Sequence, residues 1–399
     1  MTSPINSAWP DYSPAPLGMP NADLPRRLRE APMDEVTLPS GYRVPMPTRH
    51  ADVQALLVCP HASRKLGKDD PPLVEGGGID AIPDVVINTD GNQHRRLRSI
   101  AQSGFSVRQA ERWRPLAGRL ATELASNLPS RWDVSSQFAG PLSSQVICHV
   151  LGVPTRDRDQ FVSWISTLFS ASPDGADARF QAVQDFTSYT AQLVADHRVQ
   201  PRDDLIDQLI QARDADDRLT SDELVTMIFA LIVAGHETLV TMITRGVFRL
   251  LLTDSYRLLV EDPTLVEPAV EEVLRYDGPG AYGMLRVLTG DVTLSGGQLA
   301  AGTVVLPNLM GANHDPDAFP DPDTFDIERF RRPGTAPHVA FGFGPHFCLG
   351  AHLARVEMQE AFSAVTRHFP RLRMAVAPEE VVWSGDINHR PQELPVEAS

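Results

Sequence analysis

Apolar positions recur at helical spacing along most of the chain. His94 to Phe105, Val107 to Asn127, Ser143 to Leu151, Arg156 to Phe169, Asp177 to His197 and Asp203 to Arg213 each read as a helix. Asp254 to Glu261 and Leu265 to Tyr276 follow, and a shorter one is expected over Arg49 to Val58, where Val53, Leu56 and Leu57 share a face. The strongest pattern opens at Thr220-Ser221-Asp222-Glu223, a capping box, and continues to Leu252. As a helix it would span roughly 45–50 Å. From Ile228 to Val240 it is apolar nearly all round, so it should run through the core, interrupted only at Gly235-His236-Glu237-Thr238.

Period-2 signals are short: Glu35 to Val44 as two strands about Ser40-Gly41, then Asp291 to Leu294, Thr303 to Leu306, Val381 to Trp383 and Leu394 to Val396. Residues 1–33 are proline-rich and expected as an extended arm. Residues 63–88, with Gly76-Gly77-Gly78, show no period and are expected as a mobile lid. The expected fold class is mainly α, with a small β-rich subdomain built from both ends of the chain, in one domain over residues 1–399.

Composition narrows the function. An apolar share of 42% supports a substantial core, and 36 basic against 51 acidic residues give a net charge of −15, which disfavours nucleic-acid or anionic-membrane binding. Cys59, Cys148 and Cys348 form no disulfide framework, and an odd count fits a reducing cytoplasm. Met1 to Pro20 lacks the basic start and apolar core of a signal peptide. The apolar run Val225 to Ile243 is broken by His236 and Glu237, so it reads as a buried helix and not a membrane span.

The chemistry gathers at Phe341-Gly342-Phe343-Gly344-Pro345-His346-Phe347-Cys348-Leu349-Gly350, a glycine-rich loop holding one cysteine just before a helical pattern. A sulfur at a helix N-terminus meets unpaired N–H groups and the positive end of the dipole, which favours the thiolate. The bland alternative is a buried apolar cysteine in an ordinary turn. No second cysteine lies nearby for zinc or a disulfide, and a single shielded thiolate suits an axial haem ligand, because the porphyrin supplies the other four donors. The spacing Phe-Gly-x-Gly-x-His-x-Cys-x-Gly resembles the haem-binding loop of the cytochrome P-450 family, most closely its soluble bacterial, actinobacterial-type class.

The resemblance extends from about Tyr42 to Val396 and implies that family's fold, with haem b between the long central helix and the helix after the cysteine. Cys348 matches the iron ligand, with Ala234, Phe341, Gly342 and Gly350 against the cofactor. His94, Arg98, Arg286 and His338 match positions that bind the haem propionates. Ala234-Gly235-His236-Glu237-Thr238 matches the family's second mark, in which the acid and alcohol relay protons to dioxygen; Glu237 and Thr238 take those roles. Read from the residues alone, Thr238 could instead back-bond to Ala234, with Glu237 reaching a basic neighbour. Glu272, Arg275 and Arg329 match an architectural triad that supports the cysteine loop.

The implied function is a monooxygenase that hydroxylates or epoxidises a small organic molecule in secondary metabolism. Electrons would come from NAD(P)H through a separate ferredoxin and ferredoxin reductase, with Arg331, Arg332 and Arg355 as a docking patch on a cytoplasmic monomer. Substrate contacts are expected at Val233, Ala234, Ala281, Tyr282, Met284 and Ile387, together with the lid and the loop around Ser163 to Asp174. Two other readings stay open: oxidative C–C or C–N coupling of aromatic substrates without oxygen insertion, and a haem-binding scaffold without turnover.

Overall fold

The structure is a computed structural model that describes residues 24–75, 78–82, 84–214, 219–278, 283–384 and 386–398. The long helix runs Ser221–Leu252, capped by Thr220, whose hydroxyl accepts from the Glu223 amide while the Glu223 carboxylate accepts from the Thr220 amide. It is long and apolar enough to cross a membrane by composition, but most of it is buried inside the protein.

Around it pack the helices Gly140–Leu151, Ala176–Val199, Val266–Asp277 and Ala351–His368, the last of which follows the cysteine loop. Helix Ala351–His368 also packs along Val107–Ser126. Buried side chains from Ile82 to Val396 form one continuous cluster, with Phe138, Phe161, Phe186, Phe229, Phe248 and Phe362 among its largest members.

The expected helices are present with ends shifted by a few residues, as fraying and caps allow. Two expected elements differ: within the supposed extended arm, Leu24–Glu30 is a helix whose Leu24, Arg27 and Leu28 are buried, and Val381 to Trp383 forms no strand, Trp383 making only an isolated bridge to Pro391. Among the described residues the β structure is split over four small antiparallel sheets. Their pairings are Glu35–Thr37 with Arg43–Pro45, Val292–Leu294 with Gly297–Leu299, Arg286–Leu288 between Ala62–Ser63 and Val304–Val305, and Pro395–Ala398 between Arg131–Asp133 and Leu372–Met374.

The lid segment is tied down. Arg64, buried, donates to Asp80 at 2.7 Å, to Asn88 at 2.8 Å and to the carbonyl of Ile87 at 3.1 Å. Asn88 in turn donates to the carbonyls of Ile79 and Ile82. On the other side Arg179, also buried, donates to the carbonyls of Glu75, Ser170 and Ser172, joining the lid to the turn after helix Arg158–Phe169.

Candidate active site

Two left-handed glycines shape the cysteine loop: Gly342 and Gly344 both have φ of +72°, a conformation L-residues with side chains rarely adopt. A Cβ on Gly344 would lie 2.6 Å from Val58 Cγ1, so the loop also seats there against helix His50–Val58. The turn closes through the Cys348 amide on the Phe341 carbonyl at 2.8 Å, and the next helix begins at Ala351 with Gly350 as its N-cap. Phe341 and Phe347 meet edge to face at 6.2 Å, and the Arg355 guanidinium lies 4.6 Å over the Phe341 ring.

Cys348 is exposed by area, yet protein surrounds it closely enough that burial pushes its thiol pKa up, against the Gly350 amide and the charges of Arg98 and Arg355. The sulfur therefore faces a concavity. Burial opposes the charged sulfur, while the Gly350 amide at the helix start favours it, the direction the sequence implies.

On the long helix the accessible face is equally local. Ala234 is exposed and Leu231, Gly235 and Thr238 are half-buried, while their neighbours Ile232, Val233, His236 and Glu237 are buried. Thr238 donates its hydroxyl proton to the Ala234 carbonyl at 2.9 Å, the back-bond foreseen as an alternative, which leaves its oxygen free to accept. Glu237 is gripped from a distance of 153 residues: Oε1 accepts from Arg390 Nη2 at 2.6 Å and Nε at 3.2 Å, and Arg390 is itself held by Ser135 Oγ at 3.2 Å. Sequence reasoning allowed for a basic neighbour but had no local signal to name Arg390.

Gly235 serves helix packing. Its missing Cβ faces Ile147 Cδ1, 2.5 Å away, so the glycine brings helix Gly140–Leu151 close rather than opening the backbone to a cofactor. Val233, expected as a substrate contact, is 1% exposed and packs in the core.

The cationic cluster forms only in part as anticipated. Arg98 and Arg286 both act electrostatically on His94, and Arg98 interacts with Cys348. Arg98 makes no hydrogen bond among the described residues, and buried Arg286 leaves Nε without a partner. Burial, with Arg64 nearby, lowers Arg286 to about 10; burial, with His346 and Arg98, lowers His94 to about 4. His346, which the sequence supplies only as a letter of the loop motif, stacks on His94 at 4.1 Å and bonds Asp90 at 3.3 Å. His338 stands apart: Nε2 meets Glu271 at 3.2 Å, and Nδ1 accepts from the Ala340 amide at 3.3 Å.

Glu271 also takes both Nε and Nη2 of Arg355, at 2.6 and 3.0 Å. Burial would raise Glu271, but His338 and Arg355 outweigh it and hold it at about 2. Arg355 is thus committed to the loop's support, while exposed Arg331 and Arg332 pair with Glu328 at 3.5 Å and Asp326 at 2.5 Å. The architectural triad is present, with Glu272 on Arg275 at 2.7 Å and on Arg329 at 3.2 Å.

Of the other substrate-side positions, Met284 is half-buried with its sulfur 3.6 Å from Arg64 Nη2, and the Ile387 amide donates to the Phe169 carbonyl at 3.2 Å. Ala281 and Tyr282 lie outside the described residues.

The Cytochrome P450 family model matches residues 260–383, which include the triad and the cysteine loop. Cytochrome P450 107B1 of Saccharopolyspora erythraea is 38% identical over 388 residues, covering 93% of both chains. The mycinamicin IV hydroxylase/epoxidase of Micromonospora griseorubida is 34% identical over 377 residues, covering 92% of each. Among solved structures, the mycinamicin VIII C21 methyl hydroxylase MycCI of the same organism superposes with a TM-score of 0.88 at 32% identity, over 98% of this chain and 99% of that one. With a glycine-framed cysteine at a helix start, a buried Glu–Arg–Arg triad behind it and this likeness over nearly the whole length, the chain belongs to the cytochrome P450 family.

Proposed function

We propose that this P450 monooxygenase hydroxylates or epoxidises a small organic molecule of secondary metabolism, with Cys348 as the axial iron ligand and Glu237 and Thr238 as its proton-delivering pair. Family membership sets the cofactor as haem b, reduced with electrons from NAD(P)H that redox proteins deliver. The observation that carries the residue assignment is the pairing of an accessible cysteine in a concavity with Arg98, which makes no hydrogen bond among the described residues, and with buried Arg286, whose Nε is left over after Nη1 donates to the Ala62 carbonyl. A porphyrin dianion with two propionates fits that set. Iron is the cation that would keep the sulfur ionised, and Arg98 and the orphaned Nε of Arg286 would meet the propionates. His94 joins them as a hydrogen-bond donor, and Phe341, Gly342, Gly350 and Ala234 flank the ring. His338, matched to a propionate by its place before the loop, also meets Glu271 through Nε2.

Thiolate-ligated haem supplies dioxygen activation when bound. The rest belongs to this chain. The Thr238 hydroxyl, donating to Ala234, presents its oxygen as an acceptor to a protonated group in the cleft. Glu237 keeps Oε2 outside its Arg390 contacts, and through it a water can pass protons toward Thr238. Ala234, Met284 and Ile387 contact substrate in this reading.

The reading extends to a cytoplasmic monomer served by a ferredoxin and a ferredoxin reductase. Three free cysteines, one of them buried Cys148, support a reducing compartment. A compound that shifts the haem spin state on binding identifies a substrate, and turnover should then add one oxygen to its mass. A product lacking two hydrogens and gaining no oxygen would replace insertion by oxidative coupling, and spin shifts without any product would leave a haem-binding scaffold.

A further inference from the structure

Glu357 lies within the helix that follows the cysteine loop, 3% exposed, with Oε1 lacking a hydrogen-bond partner. Its polar contact is Ser143 on helix Gly140–Leu151. The Ser143 hydroxyl, fully buried, stands 3.3 Å from the Gly235 carbonyl and 3.1 Å from the His236 carbonyl of the long helix. Three helices thus meet at one hydroxyl, immediately beside Glu237 and Thr238.

Proton counting decides the state of this junction. A hydroxyl carries one proton. Were Glu357 ionised, that single proton would face two carbonyls and a carboxylate, all acceptors. A protonated Glu357 instead donates to Ser143 Oγ, and Ser143 donates onward to the long helix. Burial raises Glu357 to about 8, the Ser143 contact acting the other way. Charged groups on the surrounding elements are committed elsewhere: Arg355 to Glu271, Arg114 to Glu360, Arg245 and Arg249 to Asp277, and Glu237 to Arg390. His236, which burial lowers to about 4, is neutral.

With Thr238 on the Ala234 carbonyl, three successive carbonyls of the long helix face side-chain hydroxyls. The Ser143 hydroxyl ties two of these carbonyls to helix Gly140–Leu151, so the turn is held from outside the long helix. We propose that neutral Glu357 and Ser143 form a brace between the cysteine-side helix and the long helix, and that they are positioning residues for the Gly235–Thr238 turn. The inference rests on the proton-delivering role proposed for Glu237 and Thr238, but its geometry can be tested separately.

The test uses purified holoenzyme and hydrogen exchange at the Leu239 and Val240 amides, which pair with the Gly235 and His236 carbonyls in a regular helix. After correction for intrinsic rates, Ser143→Ala should speed their exchange by roughly tenfold. In the native protein the same acceleration should appear above about pH 8, as Glu357 ionises. Glu357→Gln keeps a donor and cannot ionise, so its exchange should stay slow across that range. Stability follows the same sign. The unfolded chain loses this proton first, so Glu357's contribution is full below the ordinary carboxyl range and is lost as pH rises through about 8. Glu357→Gln should flatten that decline. An infrared band of a protonated carboxyl, present in the native protein and absent in Glu357→Gln, should titrate with the exchange.

Unchanged exchange in Ser143→Ala, or no such band at pH 7, overturns the brace. The carbon monoxide spectrum of each variant separates the two ideas. If thiolate ligation is intact and exchange is unchanged, the brace alone fails; if the native protein shows no thiolate ligation, the site assignment fails.

Discussion

Glu237→Ala is expected to lower product formation by roughly 10²- to 10⁴-fold, the range for removing a positioned proton donor, while the haem spectrum stays native. The NAD(P)H consumed should then appear as released peroxide. The physical reason is placement: Glu237 sits one residue from Thr238, with one carboxylate oxygen held by Arg390 and the other outside that grip. Arg390→Ala should cost less, because it frees the carboxylate without removing it. Combined with Glu237→Ala it should add nothing further, since the arginine acts here only through the acid. The ratio of product to electrons consumed checks all three, and native coupling in Glu237→Ala would remove the carboxylate from the pathway.

Glu272→Ala carries the largest expected loss of stability, about 3–5 kcal/mol, because it strands two buried guanidiniums. Glu272 and Arg275 are fully buried and Arg329 nearly so, and the carboxylate is the counter-charge both arginines share. Their remaining hydrogen bonds, to the carbonyls of Asn313, Pro320, Asp321, Pro322 and Thr324, satisfy donors but not charge. The urea midpoint of the haem-loaded protein should fall sharply, with haem loss preceding global unfolding because Glu271, adjacent in the chain, steadies the loop through His338 and Arg355. A midpoint near the native value would mean that water reaches the arginines once the acid is gone.

What the amino-acid pattern revealed, and what it hid, divides by range. The capping box at Thr220 and Glu223 formed as read, because both partners lie within one turn. The Glu272–Arg275 bond is equally local. The cysteine loop was legible because its glycines meet a backbone requirement that spacing records. Contacts between distant segments were not legible. Nothing near Arg390 marks it for Glu237, nothing near Asp90 marks it for His346, and Gly235 could not announce that its neighbour would be Ile147. Nothing near His338 marks Glu271, on another helix, as its partner. The lid's anchors were hidden for a related reason: Arg64 and Arg179 hold described residues of it, their partners are mostly backbone carbonyls, and carbonyls leave no trace in side-chain pattern.

The central claim is that the Cys348 sulfur binds haem iron as a thiolate. Reducing the purified protein under carbon monoxide should give the strongly red-shifted Soret band of thiolate ligation, and Cys348→Ala, made in the same background, should lose that band together with turnover. A Cys348→Ala protein that kept both would show that another residue holds the iron.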